Sequence, residues 1–111
     1  MINTKSREDF NSDATTKIQI QYFGSIRVAV QKAEEEAELT AMVTVRQLLR
    51  RLVVMYGDAL RAEIFEEGSE SLRDDLMLTL NGAVLNHANA GDTVLSPGDK
   101  VALFPIFPGG G

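Results

Sequence analysis

Thr44-Val45-Arg46-Gln47-Leu48-Leu49-Arg50-Arg51-Leu52-Val53-Val54-Met55-Tyr56-Gly57 is the stretch on which the fold turns. Thr44 and Gln47 stand at the spacing of a capping box, where a hydroxyl and an amide side chain satisfy backbone groups that the first turn of a helix leaves free. Apolar residues then recur at Val45, Leu48, Leu49, Leu52, Val53 and Tyr56, the i, i+3, i+4, i+7 stripe of a helix with one buried face. Arg46, Arg50 and Arg51 fall away from that stripe and read as a solvated basic face. Gly57 closes the helix, because the position after a last turn favours a residue without Cβ. A helix patterned in this way needs an apolar surface to lie on, and the flanking segments supply it.

Upstream, Lys17 to Phe23 alternates: Ile18, Ile20 and Tyr22 share one face and Gln19 and Gln21 the other, the pattern of a half-buried strand. Gly24 and Ser25 end it. Residues 26–42 admit two readings. Gln31 to Leu39 is rich in helix formers but shows no stripe; the alternative, an extended hairpin partner for the first strand over Glu36 to Leu39, is favoured because propensity alone is a weak guide. Downstream, Asp58 to Glu67 has room for one or two further helical turns carrying Leu60, Ile64 and Phe65, stopped at Gly68, and Ser69 to Asp75 reads as a polar loop. Leu76 to Leu80 is a strand. Asn81-Gly82 is a strong hairpin signal, since a type I′ turn needs positive φ at both central residues. Ala83 to Leu85 returns as a short strand, and Asn86 to Thr93 reads as a loose loop. Ser96-Pro97-Gly98-Asp99 is a turn in which proline sets φ and glycine permits its positive value. Lys100 to Phe104 is the last strand, stopped by Pro105. One helix on a mixed sheet is the economical two-layer arrangement for this order, an α+β fold.

Composition narrows what such a domain can do. The 111 residues leave room for one domain. The absence of cysteine excludes disulfides, iron–sulfur clusters and thiolate zinc sites. His87 is the single histidine, flanked by no carboxylate cluster, and reads as a loop residue rather than a ligand or base; no metal site is expected. Glu34, Glu35, Glu36 and Glu38 read as solvated charges of the hairpin. A net charge of −5 argues against nucleic acid, whose phosphates are bound through Lys and Arg, and suits a basic protein partner. No apolar run approaches the ~18–20 residues of a membrane span, and a cytoplasmic location is expected. Residues 1–16 show no period and are expected to be a flexible extension, ahead of a domain over 17–105 and a tail over 106–111.

The tail carries the functional signal. From Val101 onward no side chain is charged, and the chain ends Phe104-Pro105-Ile106-Phe107-Pro108-Gly109-Gly110-Gly111. The two prolines lock φ and stiffen the arm, which reduces the entropy lost when a partner grips it. At ~3.3 Å per residue, Pro105 to Gly111 can reach roughly 20 Å. Glycines have no Cβ, so Gly109, Gly110 and Gly111 can pass through a channel too narrow for other residues. Such a tail delivers its terminal carboxylate, which can attack the α-phosphate of ATP to form an acyl-adenylate; a sulfur nucleophile then converts that to a thiocarboxylate.

With Ile20-Gln21-Tyr22-Phe23-Gly24 followed by Arg27, with Thr44-Val45, Leu80-Asn81-Gly82, Gly98-Asp99-Lys100-Val101-Ala102-Leu103-Phe104-Pro105 and the terminal Gly-Gly, residues 17–111 resemble the small subunit of molybdopterin synthase, within the ubiquitin-like sulfur-carrier family. The resemblance implies a ubiquitin-like β-grasp fold, a mixed sheet of four to five strands on one main helix with a flexible glycine tail. It implies that an E1-like enzyme, using ATP, adenylates Gly111 and that sulfur is installed there as a thiocarboxylate. The sulfur would then go to the dithiolene of molybdopterin inside the large synthase subunit, in a heterotetramer. Gly109 and Gly110 would thread the partner sites, while Phe104, Pro105, Ile106 and Phe107 would dock against them. The chain would bind no cofactor of its own and would not be a catalyst by itself. Its ending departs from the usual Phe-Pro-Pro-Val-x-Gly-Gly by one added residue and greater aromatic content.

Two other uses of the same tail stay open. One is sulfur delivery for the thiazole of thiamine or for cysteine. The other is a ubiquitin-like modifier, whose terminal glycine would form isopeptide bonds with protein lysines. A β-grasp interaction module with an inert tail is a third class.

Overall fold

In the computed structural model, which describes residues 15–40 and 43–106, the early alternation becomes strand β1, Thr15–Tyr22, with Ile18, Ile20 and Tyr22 buried on one face. The strand begins at Thr15, ahead of the alternation, and Thr15 and Thr16 pair with Thr40 and Leu39. The remainder of the N-terminal extension, residues 1–14, and the tail positions 107–111 lie outside the described residues.

Gly24 and Ser25 do more than end a strand. They open a short helix, α1, Gly24–Val30, that the sequence pattern did not announce. A leading glycine and the β-branched Ile26, Val28 and Val30 cost up to ~1 kcal/mol each in helix propensity. Burying Ile26 and Val30 returns ~1.5–3 kcal/mol apiece, so tertiary packing decides. Gln31 closes the turn in the left-handed region, at φ 63°. Strand β2, Glu34–Thr40, then pairs antiparallel with β1, setting Ile18 opposite Ala37 and Ile20 opposite Glu35. The hairpin reading is thus the correct one, over a longer span than Glu36 to Leu39.

Helix α2, Val45–Tyr56, forms as its pattern dictates. The capping box is complete: Gln47 N–H donates to Thr44 Oγ1 at 3.2 Å, and Thr44 N–H to Gln47 Oε1 at 2.8 Å. Val45, Leu48, Leu49 and Leu52 are fully buried, with Val53 and Tyr56 packed at the edge. Gly57, at φ 87°, ends α2 and leads into α3, Asp58–Ile64, which buries Leu60 and Ile64. The loop after it is less polar in effect than in composition, because Leu72 is buried and bridges to Phe65. Strands β3, Leu76–Leu80, and β4, Ala83–Val84, are joined by Asn81 and Gly82, both at positive φ. The following loop contains a single 3-10 turn at Ala90–Asp92, with Ala90 and Gly91 buried. Strand β5, Lys100–Pro105, completes the sheet and includes Pro105 rather than stopping before it.

The five strands lie in the order β2-β1-β5-β3-β4, with β5 parallel to β1 and antiparallel to β3. The buried faces of the helices join Ile18, Ile20, Tyr22, Leu78, Val101 and Leu103 of the strands in one core cluster. This is the mixed-sheet α+β arrangement expected of a ubiquitin-like β-grasp chain.

Candidate functional site

The last strand is a central one. β5 is held on both sides, Tyr22 standing opposite Leu103 on β1 and Met77 opposite Phe104 on β3. Two further bonds hold its end, from Phe23 N–H to Leu103 O at 3.2 Å and from Ile106 N–H to Asp75 O at 2.7 Å. The backbone is therefore fixed as far as Ile106, the last described residue.

Along β5, Val101 and Leu103 point into the core while Phe104 lies half-buried on the opposite face. Phe104 stacks on Phe23, with ring centroids 4.3 Å apart and planes 5° from parallel. Such a pair adds ~0.5–1.5 kcal/mol beyond the area it buries. Phe23 stands where the alternation Gln19, Gln21, Phe23 reserves a place for solvent. An apolar ring at a polar position of a strand is a signal that the sequence reading passed over.

Gly24, read from sequence only as the end of the first strand, is part of the exit. Its φ is +57°, and a Cβ there would come within 2.6 Å of Pro105 Cγ. The missing side chain lets the first tail proline lie across the start of α1. Beneath it, Ser25 donates to Glu63 at 2.8 Å, tying α1 to α3. Arg73 makes a two-point pair with Asp75, both bonds 2.9 Å, and the hydrogen bond from Arg73 holds the Asp75 carboxyl below its usual range. These groups, with Pro105 and Ile106, border a shallow pocket of about 270 Å³. His87 is in a loop as expected, yet it has a partner: its Nε2–H donates to Arg73 O at 2.7 Å, which selects that tautomer.

A second cluster stiffens the strand leading to the exit. Tyr22 and Tyr56 both donate their hydroxyls to Glu35 Oε2, the latter at 2.6 Å, while Lys32 reaches Glu35 Oε1 at 3.3 Å. Burial pushes the Glu35 carboxyl up, but the hydrogen bonds from Tyr22, Tyr56 and Lys32 outweigh it and hold the group below its ordinary value. Burial and then the bond to Glu35 push the Tyr22 hydroxyl far up, keeping it a donor. Glu35 is thus a structural acceptor between β2 and α2, not one of a row of solvated charges; Glu34, Glu36 and Glu38 remain exposed.

Of the residues expected to act, Phe104, Pro105 and Ile106 are brought together at the exit, with Ile106 41% exposed and Phe23 36% exposed beside them. Phe107, Gly109, Gly110 and Gly111 lie outside the described residues.

Compared with protein families, residues 20–110 match the ThiS family. The chain belongs to the ThiS family. That places it among ubiquitin-like sulfur carriers, small proteins that are not catalysts themselves. Among curated proteins none gives a significant match. Solved structures do. The HVO 2177 protein of Haloferax volcanii is 25% identical with a TM-score of 0.75, over 86% of this chain and 88% of that one. The small archaeal modifier protein 1 of Methanosarcina acetivorans is 25% identical with a TM-score of 0.70, over 86% and 97%. A candidate molybdopterin converting factor, subunit 1, from Pyrococcus furiosus is 29% identical with a TM-score of 0.65, over 83% and 99%. In this ThiS-family chain no helix among the described residues is long and apolar enough to cross a membrane.

Proposed function

We propose that the protein is a cytoplasmic sulfur carrier for the dithiolene of molybdopterin, with Gly111 as the reacting residue. The observation that carries this reading is the delivery of an uncharged Phe-Pro-Ile-Phe-Pro-Gly-Gly-Gly end from a central strand of a ThiS-family sheet. The Gly111 carboxylate attacks the α-phosphate of ATP in the site of an E1-like enzyme, releasing pyrophosphate and leaving an acyl-adenylate. A sulfur nucleophile then displaces AMP, and one oxygen of the carboxylate is replaced by sulfur. Gly109 and Gly110 thread the narrow channels, and Phe104, Pro105, Ile106 and Phe107 dock at their mouths. The large subunit of molybdopterin synthase is the receiving partner, in a heterotetramer. ATP belongs to the activating enzyme, and this chain binds no cofactor. The 29% identity to the Pyrococcus furiosus protein supports this acceptor.

The similarity to a small archaeal modifier protein supports a second reading, in which the activated Gly111 is joined to protein lysines. Incubation with ATP, the host's E1-like enzyme and a sulfur source, followed by intact mass spectrometry, tests the carrier step. A gain equal to one oxygen exchanged for sulfur, mapped to Gly111, is the expected result. An unchanged mass, with the enzyme active on another carrier, removes the sulfur reading. Higher-mass protein adducts in cells, lost when Gly110 and Gly111 are deleted, decide for the modifier.

A further inference from the structure

The outward side of α2 holds an apolar groove of about 650 Å³ between the helix and the end of β2. Leu39 and Val43 form its floor, Val54 and Met55 its wall, and Arg50 and Arg51 its rim. Val54 is 86% exposed and Met55 56%, on a helix whose other face already fills the core. The rim is unevenly neutralised. Arg50 pairs with Glu70, whereas Arg51 makes no ion pair or hydrogen bond with another described residue.

We propose that this groove is the docking site of the chain's own N-terminal segment, with Phe10 as the apolar anchor and the adjacent Glu8 and Asp9 facing Arg51. Position argues for it first. β1 enters the sheet at Thr15 paired with Thr40, and Thr40 lines the groove, so the segment reaches the domain at the groove's edge. Length agrees. Phe10 lies five chain steps before Thr15, a reach of roughly 17 Å. The far wall at Met55 lies ten residues along α2 from Val45, ~15 Å. Chemistry agrees as well. Residues 1–14 carry one aromatic ring, Phe10, preceded directly by two carboxylates, which matches an apolar trough whose rim holds a guanidinium that makes no ion pair with a described residue. Seating a ring of this size removes from water apolar surface worth ~25 cal/mol per Å². The inference does not depend on what the C-terminal tail does.

Because the chain has no cysteine, a Ser6→Cys variant takes a single nitroxide spin label. The expected result is loss of the Val43, Val54 and Met55 amide peaks in the paramagnetic spectrum, unchanged when the labelled chain is diluted into excess unlabelled protein. In a Phe10→Ala version of the same labelled chain those peaks return, while Ile20 and Leu103 keep their shifts and report an intact sheet. Peaks that survive in the labelled chain overturn the proposal. So does broadening that Phe10→Ala leaves unaltered. Broadening that vanishes on dilution also overturns it, and assigns the groove to a second copy.

Discussion

One missing side chain sets the fit of the exit, and one half-buried carboxylate braces the strand that leads to it. Gly24 combines a positive φ with a 2.6 Å approach of its virtual Cβ to Pro105, so a methyl group there must push the tail proline away. Gly24→Ala is expected to cost about 1–3 kcal/mol, from overpacking and left-handed strain. Thermal denaturation reads that loss, and amide shifts at Phe104 and Ile106 report the displaced tail. Glu35 makes a pH prediction with a defined sign. Its folded value lies below its ordinary value of 4.5, so its stabilising effect is complete above that value and disappears as pH falls through the folded value. Glu35→Gln is expected to lower stability at pH 7 by roughly 1–3 kcal/mol, the scale of hydrogen bonds to a charged group. The gap between variant and parent should close as the pH is taken well below 4.5 in urea titrations. A gap that stays constant with pH would show that the carboxylate's charge is not what Tyr22 and Tyr56 require.

At the scale of elements, helix α2 stands on its own signals, and the cap is where they can be probed. Thr44→Ala removes the acceptor for Gln47 N–H and is expected to cost about 0.5–2 kcal/mol, measured by chemical denaturation with an unchanged m-value. Elements written in local chemistry were legible before the structure: the capping box, the Asn81-Gly82 turn, and the Ser96–Asp99 turn, which closes with Asp99 N–H on Ser96 O at 3.1 Å. β2 was legible only as a preference, because its glutamates favour helix and its pairing with β1 is a long-range fact. α1 was illegible, since its residues disfavour a helix and only the burial of Ile26 and Val30 makes one. The site followed the same rule. Phe104, Pro105 and Ile106 were visible in the uncharged run, but their companions Phe23, Gly24, Arg73 and Asp75 come from distant segments joined by the sheet. His87 shows the limit in the other direction. It is a loop residue as read, yet its bond to Arg73 O connects that loop to the exit.

For the whole molecule, the division between a folded body and a delivered end predicts separable defects. Deleting Gly110 and Gly111 should leave the melting temperature unchanged within error, because glycines carry no side chain to bury, while abolishing sulfur acceptance in the mass assay. A variant that loses both at once would mean the last glycines pack on the domain. The parallel pairing of β1 with β5 has a practical consequence of another kind. Gln19 is level with Lys100, Thr15 lies four positions behind it and Pro105 five ahead, so the strand entering the domain and the strand leaving it are separated by nine steps, ~30 Å, along one axis. A probe placed where β1 begins therefore lies at the opposite end of the sheet from Pro105, where the last strand ends.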